Sequence, residues 1–170
     1  MKRLMERGFT LVEIMIVVAI IALLAAIAIP NVLRGRTSAN ESASIGNLRA
    51  LMSSMEMYRS VNNAYPTVAQ GWQAKMYPGG GVPAFGPPSF NLDLSGGAQT
   101  VQGYNYLYAD GTTAGQQYKL TANPATANQT GTRAFFLDET GVIRHCTGAS
   151  GATVASLTID QAPNATCPGH

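Results

Sequence analysis

The stretch that decides the fold reads RGFTLVE at residues 7–13 and continues as IMIVVAIIALLAAIAI at residues 14–29. The second part contains only Ile, Met, Val, Ala and Leu. A run of this kind is typical of a helix that lies in lipid or in a buried helical core. From Phe9 to Leu33 an α-helix would measure roughly 37 Å, which is enough to cross a hydrocarbon layer of about 30 Å.

Charge is scarce and balanced over the rest of the chain. Only 12% of the 170 residues are charged, against about a quarter in a typical soluble domain. Lys2, Arg3 and Arg7 against Glu6 account for the net charge of +2, and eight basic and eight acidic residues remain from Phe9 onward. The chain from Phe9 onward has no excess of positive charge, so no specific binding of nucleic acid is predicted.

The basic start and apolar run allow two conventional interpretations. A cleaved secretory signal would use Lys2 and Arg3 as its basic region and Ala26-Ile27-Ala28 as its cleavage site, but the apolar run is longer than such signals have. A plain membrane anchor fits the length. Neither explains Glu13, since an acidic residue deep in a membrane helix costs about 3 kcal/mol on insertion scales.

Glu13 also fits a local structural role. Thr10 and Glu13 match the capping box, in which a hydroxyl and a carboxylate satisfy the free backbone N–H groups at a helix start. A charge retained in a membrane segment, however, indicates a function by default. The two roles are compatible.

Residues 7–14 resemble the class III signal of the type IV pilin family, which includes the pseudopilins of type II secretion. The resemblance is close over about the first thirty residues. It implies that prepilin peptidase cuts after Gly8 on the cytoplasmic face and methylates Phe9, while the apolar helix stays attached. It also implies that Glu13 pairs with the N-terminal ammonium of a neighbouring subunit and sets the register, and that Pro30 loosens the helix.

The chain therefore divides into a leader at 1–8, a transmembrane and assembly helix at 9–33, an amphipathic continuation at 34–62 and a globular head at 63–170. In the continuation, apolar residues recur at spacings of three and four, which predicts one buried stripe: Ile45, Leu48, Leu51, Met52, Met55 and Tyr58. Together the two segments predict one helix of about fifty residues. Pro30 removes a backbone donor, so the helix is expected to kink or melt locally there.

The head begins with an irregular segment, residues 63–103, that contains five prolines and eight glycines. We expect Trp72, Tyr77, Phe85 and Phe90 to hold parts of it against the domain, because long structureless loops are uncommon. No nucleotide-binding motif occurs in it.

Residues 104–146 predict an antiparallel sheet of about four strands, at 104–108, 117–121, 133–138 and 142–146. Tyr104, Tyr106 and Tyr108 alternate, which places three rings on one face. Ordinary packing on the helix is favoured over a charge-conducting stack of these rings. The fold class is α+β, and the resemblance implies the type IV pilin fold.

Cys146 and Cys167 predict a disulfide loop at 146–167, because the anchor would deliver the head to an oxidising compartment. A metal site with His145 and His170 is the rival. It is disfavoured because consecutive residues of a strand, His145 and Cys146, point to opposite faces. Neither a metal nor another cofactor is predicted.

The sequence thus predicts a structural subunit of a type IV pilus, with a pseudopilin of type II secretion as the alternative and an anchored enzyme disfavoured. Assembly into a homo-oligomeric helical filament would follow residence in the inner membrane as a single-pass precursor with its N-terminus inside. The resemblance implies three partners: prepilin peptidase, an inner-membrane platform protein and an assembly ATPase. The final place would be an extracellular pilus, with roles in adhesion or motility, or a periplasmic pseudopilus.

Overall fold

The computed structural model describes residues 9–80 and 83–147, and the chain divides into two compact units, 1–35 and 36–170. Helices and strands follow one another in the order α1 (Leu11–Asn62), α2 (Trp72–Met76), β1 (Gln99–Val101), β2 (Tyr104–Asp110), β3 (Tyr118–Pro124), β4 (Arg133–Asp138) and β5 (Arg144–Thr147). Two short 3₁₀ turns, Val68–Gln70 and Pro88–Phe90, lie in the segment before β1. The fold is α+β, as predicted.

Helix α1 runs for 52 residues and passes through Pro30. The local melting expected at this proline is not found. The helix ends where Asn63 takes a left-handed backbone conformation with φ of 55°. Its N–H donates to the carbonyl of Arg59 at 2.8 Å, which satisfies one of the carbonyls left free at a helix C-terminus.

The buried stripe of α1 is confirmed in the head unit. Leu48, Leu51, Met55 and Tyr58 are buried in the core, and the two remaining members of the predicted stripe pack at its edge. Apolar burial of this kind supplies most of the stability of an amphipathic helix.

Glu41 is buried, although the sequence pattern places it among the polar positions of the helix. Its carboxylate accepts hydrogen bonds from the Thr132 N–H at 2.8 Å and hydroxyl at 2.7 Å, and forms an ion pair with Arg133 at 2.8 Å. Burial raises the pKa of Glu41, but the hydrogen bonds from Thr132 and the charge of Arg133 outweigh it, so the pKa lies below its ordinary value. These partners lie about ninety residues away in sequence, so the helical pattern alone does not indicate that Glu41 is buried.

The sheet has five antiparallel strands in the order β1-β2-β3-β4-β5, one more than expected. The additional strand, β1, lies inside the segment predicted to be irregular. It joins β2 through Gln102 and Gly103, whose φ angles of 49° and 78° fit a two-residue hairpin turn. The usual sequence signal for this turn is Asn-Gly or Asp-Gly. This chain has Gln-Gly instead, so the sequence did not predict the turn.

The three alternating tyrosines of β2 lie on the inner face of the sheet, which we define as the face that packs on α1. All three are buried, as expected. The Tyr106 hydroxyl donates to the Ser44 hydroxyl at 3.2 Å and accepts from the Asn47 amide at 3.1 Å. The rings contact three different aromatic partners at 4.8–5.7 Å, namely Phe135, Phe90 and Trp72. This is core packing.

Aromatic side chains hold the segment before β1 in place, as predicted. Trp72 and Phe90 are fully buried, and Tyr77 and Phe85 pack partly buried against the core. The Tyr77 hydroxyl donates to the carbonyl of Pro87 at 2.7 Å.

Candidate functional site: the N-terminal assembly helix

The capping box predicted at the start of α1 is present. The Thr10 N–H and hydroxyl both donate to Oε2 of Glu13, at 2.8 and 2.7 Å. In return, the Glu13 N–H donates to the Thr10 hydroxyl at 3.2 Å. Both local donors therefore bind the same carboxylate oxygen, so the Oε1 atom of the exposed Glu13 stays available for a further donor.

The segment from Phe9 to Leu33 presents a continuous apolar surface. Sixteen large apolar side chains in it are at least half exposed. Apolar patches on soluble monomers rarely exceed a few hundred Å², so a surface of this size requires lipid or other protein around it. By length and composition, α1 is able to cross a membrane.

Pro30 leaves the carbonyl of Ala26 without its usual backbone donor, because proline has no N–H. One residue further on, the side-chain amide of Asn31 donates to the carbonyl of Ile27 at 3.2 Å. This amide binds the next carbonyl along the helix and does not replace the donor that Ala26 lacks.

Two of the predicted site residues, Gly8 and Cys167, lie outside the described residues, as does His170. Cys146 is buried on β5, and its ladder partner is Ala134. The neighbouring His145 pairs with Phe135 on the opposite face, where the two rings are 6.4 Å apart. His145 and Cys146 therefore do not converge on one metal ion. Within residues 9–80 and 83–147, no cluster of three His, Cys, Asp or Glu residues is arranged to hold a metal.

Comparison with known proteins places this N-terminus in a defined class. The prokaryotic N-terminal methylation motif matches residues 3–29. Type II secretion system core protein G of Pseudomonas aeruginosa is 37% identical over 93 residues, which are 55% of this chain and 64% of that protein.

Further relatives carry the same name. Core protein G of Klebsiella michiganensis is 40% identical over 74 residues, 44% of this chain and 52% of that protein. Core protein G of Escherichia coli is 38% identical over 69 residues, 41% and 48% of the two chains. The chain thus spans about half, or somewhat more, of the length of these relatives. No solved structure matches it.

The methylation motif and the exposed apolar helix with its capped carboxylate are features of the prepilin class of N-terminus. The chain is thus similar to the type IV pilin and pseudopilin family in its N-terminal motif and to type II secretion system core proteins G over about half of their length. Members of this family are structural subunits, and the N-terminal helix fits a precursor held in the inner membrane.

Proposed function

We propose that this chain is a pseudopilin, a filament subunit of a type II secretion system. The observation that carries the proposal is its 37–41% identity to core proteins G of type II secretion systems. The sequence alone favours a type IV pilus subunit, and the comparisons favour the alternative. The N-terminal segment is common to both kinds of filament, so it does not separate them.

Maturation would begin with cleavage after Gly8 by prepilin peptidase, followed by methylation of Phe9. Phe9 and Thr10 precede the first helical residue, Leu11, and the Phe9 side chain is 82% exposed. An exposed, non-helical residue directly after the cleaved bond suits a protease, because the peptide bond to be cut must not be held in a helix. The apolar helix would stay in the inner membrane, N-terminus inside.

Assembly would then exchange lipid for protein around the apolar surface from Phe9 to Leu33. Helices in lipid associate by packing and polar contacts, because lipid tails are as apolar as the side chains themselves. Transfer into a filament therefore brings little hydrophobic gain. The energy would come from an assembly ATPase acting through an inner-membrane platform protein.

Glu13 would set the axial register between subunits. Its Oε2 atom is occupied by Thr10, so Oε1 would accept the N-terminal ammonium of an incoming Phe9. At 4 Å such a pair is worth about 4 kcal/mol at an effective dielectric of 20. The desolvation of both charges offsets much of this gain. The pair would therefore select one axial position and add little net stability.

The test is deletion of the gene in its host, with complementation by wild type and by variants of Glu13. We expect loss of secreted proteins from the medium with unchanged surface pili. Glu13→Asp should restore part of the secretion, Glu13→Gln should not, and Thr10→Val should restore most of it because the carboxylate remains. Loss of pili with normal secretion would contradict the pseudopilin proposal and return the chain to the pilus.

A further inference from the structure

A groove lies between the C-terminal end of α1 and the segment that contains α2. We call it the α1–α2 groove, and its volume is about 310 Å³. Six of the residues that line it are Tyr58, Val61, Asn62, Lys75, Pro78 and Phe85. Val61 is 66% exposed, and the rings of Tyr58 and Phe85 meet edge to face with their centroids 5.1 Å apart. The groove therefore offers an open apolar surface with room for a side chain from another molecule.

The α1–α2 groove also carries one positive charge. Among the described residues that line it, only Lys75 is charged, and this side chain is exposed. Lys75 forms no ion pair with any residue that the structure describes. A partner that fits the groove would thus present an apolar side chain next to a carboxylate.

The turn between β4 and β5, residues 139–143, has both of these features. Val142 is 52% exposed, and Glu139 is only partly buried. The Oε2 atom of Glu139 has no hydrogen-bond partner among the described residues, although it is buried. Buried polar groups are rarely left unsatisfied. The carboxylate of Glu139 therefore lacks a donor that an ammonium group from another molecule would supply.

The other charged side chains around this turn already have partners within the head. Arg144 forms an ion pair with Asp138 at 2.7 Å. Two residues of α1, Glu56 and Arg59, line the cavity next to the turn. The Tyr65 hydroxyl donates to Glu56 at 2.6 Å and accepts from Arg59 at 3.1 Å. The remaining carboxylate of the turn is thus the one without a partner.

The turn and the α1–α2 groove lie on different sides of α1. The turn borders a cavity lined by Met52, Glu56 and Arg59, whereas Tyr58 and Val61 line the groove. With 3.6 residues per turn, these two sets of helix positions are roughly 150° apart around the helix axis. A contact from the turn of one copy to the groove of the next would leave a free turn and a free groove at the two ends. Contacts of this head-to-tail kind extend into open helical assemblies when the rotation does not close a ring.

We propose that the β4–β5 turn of one copy docks in the α1–α2 groove of a second copy, with Val142 in the groove and Glu139 paired with Lys75. The inference rests on the proposed function as a filament subunit and names a contact between neighbouring heads. A solvent-exposed ion pair contributes little net stability. The apolar contact of Val142 would therefore hold the two heads together, and the ion pair would select the partner surface.

The first test is photo-crosslinking from the turn in host cells that lack the native gene and produce the full chain with two different tags. Val142→p-benzoylphenylalanine should crosslink to groove residues such as Val61 and Phe85 of a second copy. The same change at Thr100, an exposed residue of β1 that lines neither surface, should not reach the groove. Crosslinks from position 142 only to other regions, to other proteins or to lipid would overturn the proposal, as would their absence in cells that still assemble the chain.

The second test exchanges the two charges and leaves Val142 unaltered. Lys75→Glu and Glu139→Lys should each lower the yield of oligomers captured by formaldehyde in intact cells several-fold, and the two changes together should restore most of it. Arg49→Glu, at an exposed position outside both surfaces, is the matched control for the change in net charge and should leave the yield near that of wild type. Trp72 emission verifies that each variant is folded. Single variants that assemble normally, or a double variant no better than the single ones, would contradict the pairing.

The two tests can fail independently of the proposed function. If deletion of the gene removes pili while position 142 still crosslinks to the groove, the pseudopilin proposal is wrong and the head contact stands. If secretion depends on the chain while position 142 crosslinks elsewhere, the head contact is wrong and the pseudopilin proposal stands.

Discussion

Replacing Gly103 by alanine should destabilise the head by about 2 kcal/mol, through two separable effects. Gly103 has φ of +78° in the β1–β2 turn, and an L-residue there costs about 1 kcal/mol. The added Cβ would also lie 2.9 Å from the Asn40 side-chain nitrogen and 3.2 Å from Cβ of Thr130. The Asn40 side-chain amide donates to the Thr130 carbonyl at 3.0 Å. Loss of this hydrogen bond would cost about 1 kcal/mol more.

Two other glycines separate these effects. Gly80 has the same φ of +78° with nothing within 4 Å of an added Cβ, so Gly80→Ala should show the backbone cost alone, about 1 kcal/mol. Gly46 lies within α1 with open space around it. Gly46→Ala should therefore stabilise the chain by about 0.5–1 kcal/mol.

The assay is urea unfolding of the full chain in detergent, followed by the fluorescence of Trp72. This residue is the only tryptophan in the chain and is fully buried against Tyr108, so its emission reports the loss of head packing. A Gly103→Ala variant that loses no more stability than Gly80→Ala would show that the close approach of α1 to the β1–β2 turn does not constrain this position.

The same assay tests two further predictions about the core. Glu41 has a pKa below its ordinary value in the folded chain, so its contribution is present above that ordinary value and is lost as the pH falls through the lowered pKa. The free energy of unfolding should therefore fall between roughly pH 5 and 3 more steeply in wild type than in Glu41→Gln, and equal slopes would contradict this. Leu51→Ala, at a fully buried position, should cost about 2–5 kcal/mol. Met57→Ala, on the half-exposed face of the same helix, should stay within about 0.5 kcal/mol, and similar losses in both would contradict the assigned core.

Local patterns were sufficient to predict the helix and most of the sheet. The uninterrupted apolar run from Ile14 to Ile29 and the helical periodicity of the stripe from Leu48 to Tyr58 predicted one helix in spite of Pro30. The alternation of Tyr104, Tyr106 and Tyr108 correctly predicted a strand with one buried face, because a period of two is characteristic of a half-buried strand.

Local sequence patterns did not predict the features that depend on contacts between residues far apart in the sequence. Strand β1 is three residues long and depends on its pairing with β2, so no periodicity marks it. The burial of Glu41 depends on Thr132 and Arg133, which only the folded chain brings close. The burial of Phe136 and Ala134 belongs to the same group, because both faces of β4 are buried and its apolar sequence does not indicate what packs on either side.

The sequence predicted the local hydrogen bonds of the candidate site. It did not predict the contacts of this site with a neighbouring subunit. The pattern of Thr10 and Glu13 gave the capping box, which the structure contains. The resemblance supplied the cleavage and methylation expected at Gly8 and Phe9. What no single chain contains is the neighbouring subunit that Glu13 would meet, so the register stays a prediction.

The central claim is that the chain matures into a filament subunit whose first residue is Phe9. Intact-mass analysis of the protein from its native membrane fraction tests it most directly, with a strain lacking prepilin peptidase as control. We expect a chain that starts at Phe9, carries one added methyl group and lacks the two hydrogens of a closed Cys146–Cys167 pair. The control strain should yield the unprocessed chain. A native chain that starts at Met1, or one cut after Ala28, would contradict the account.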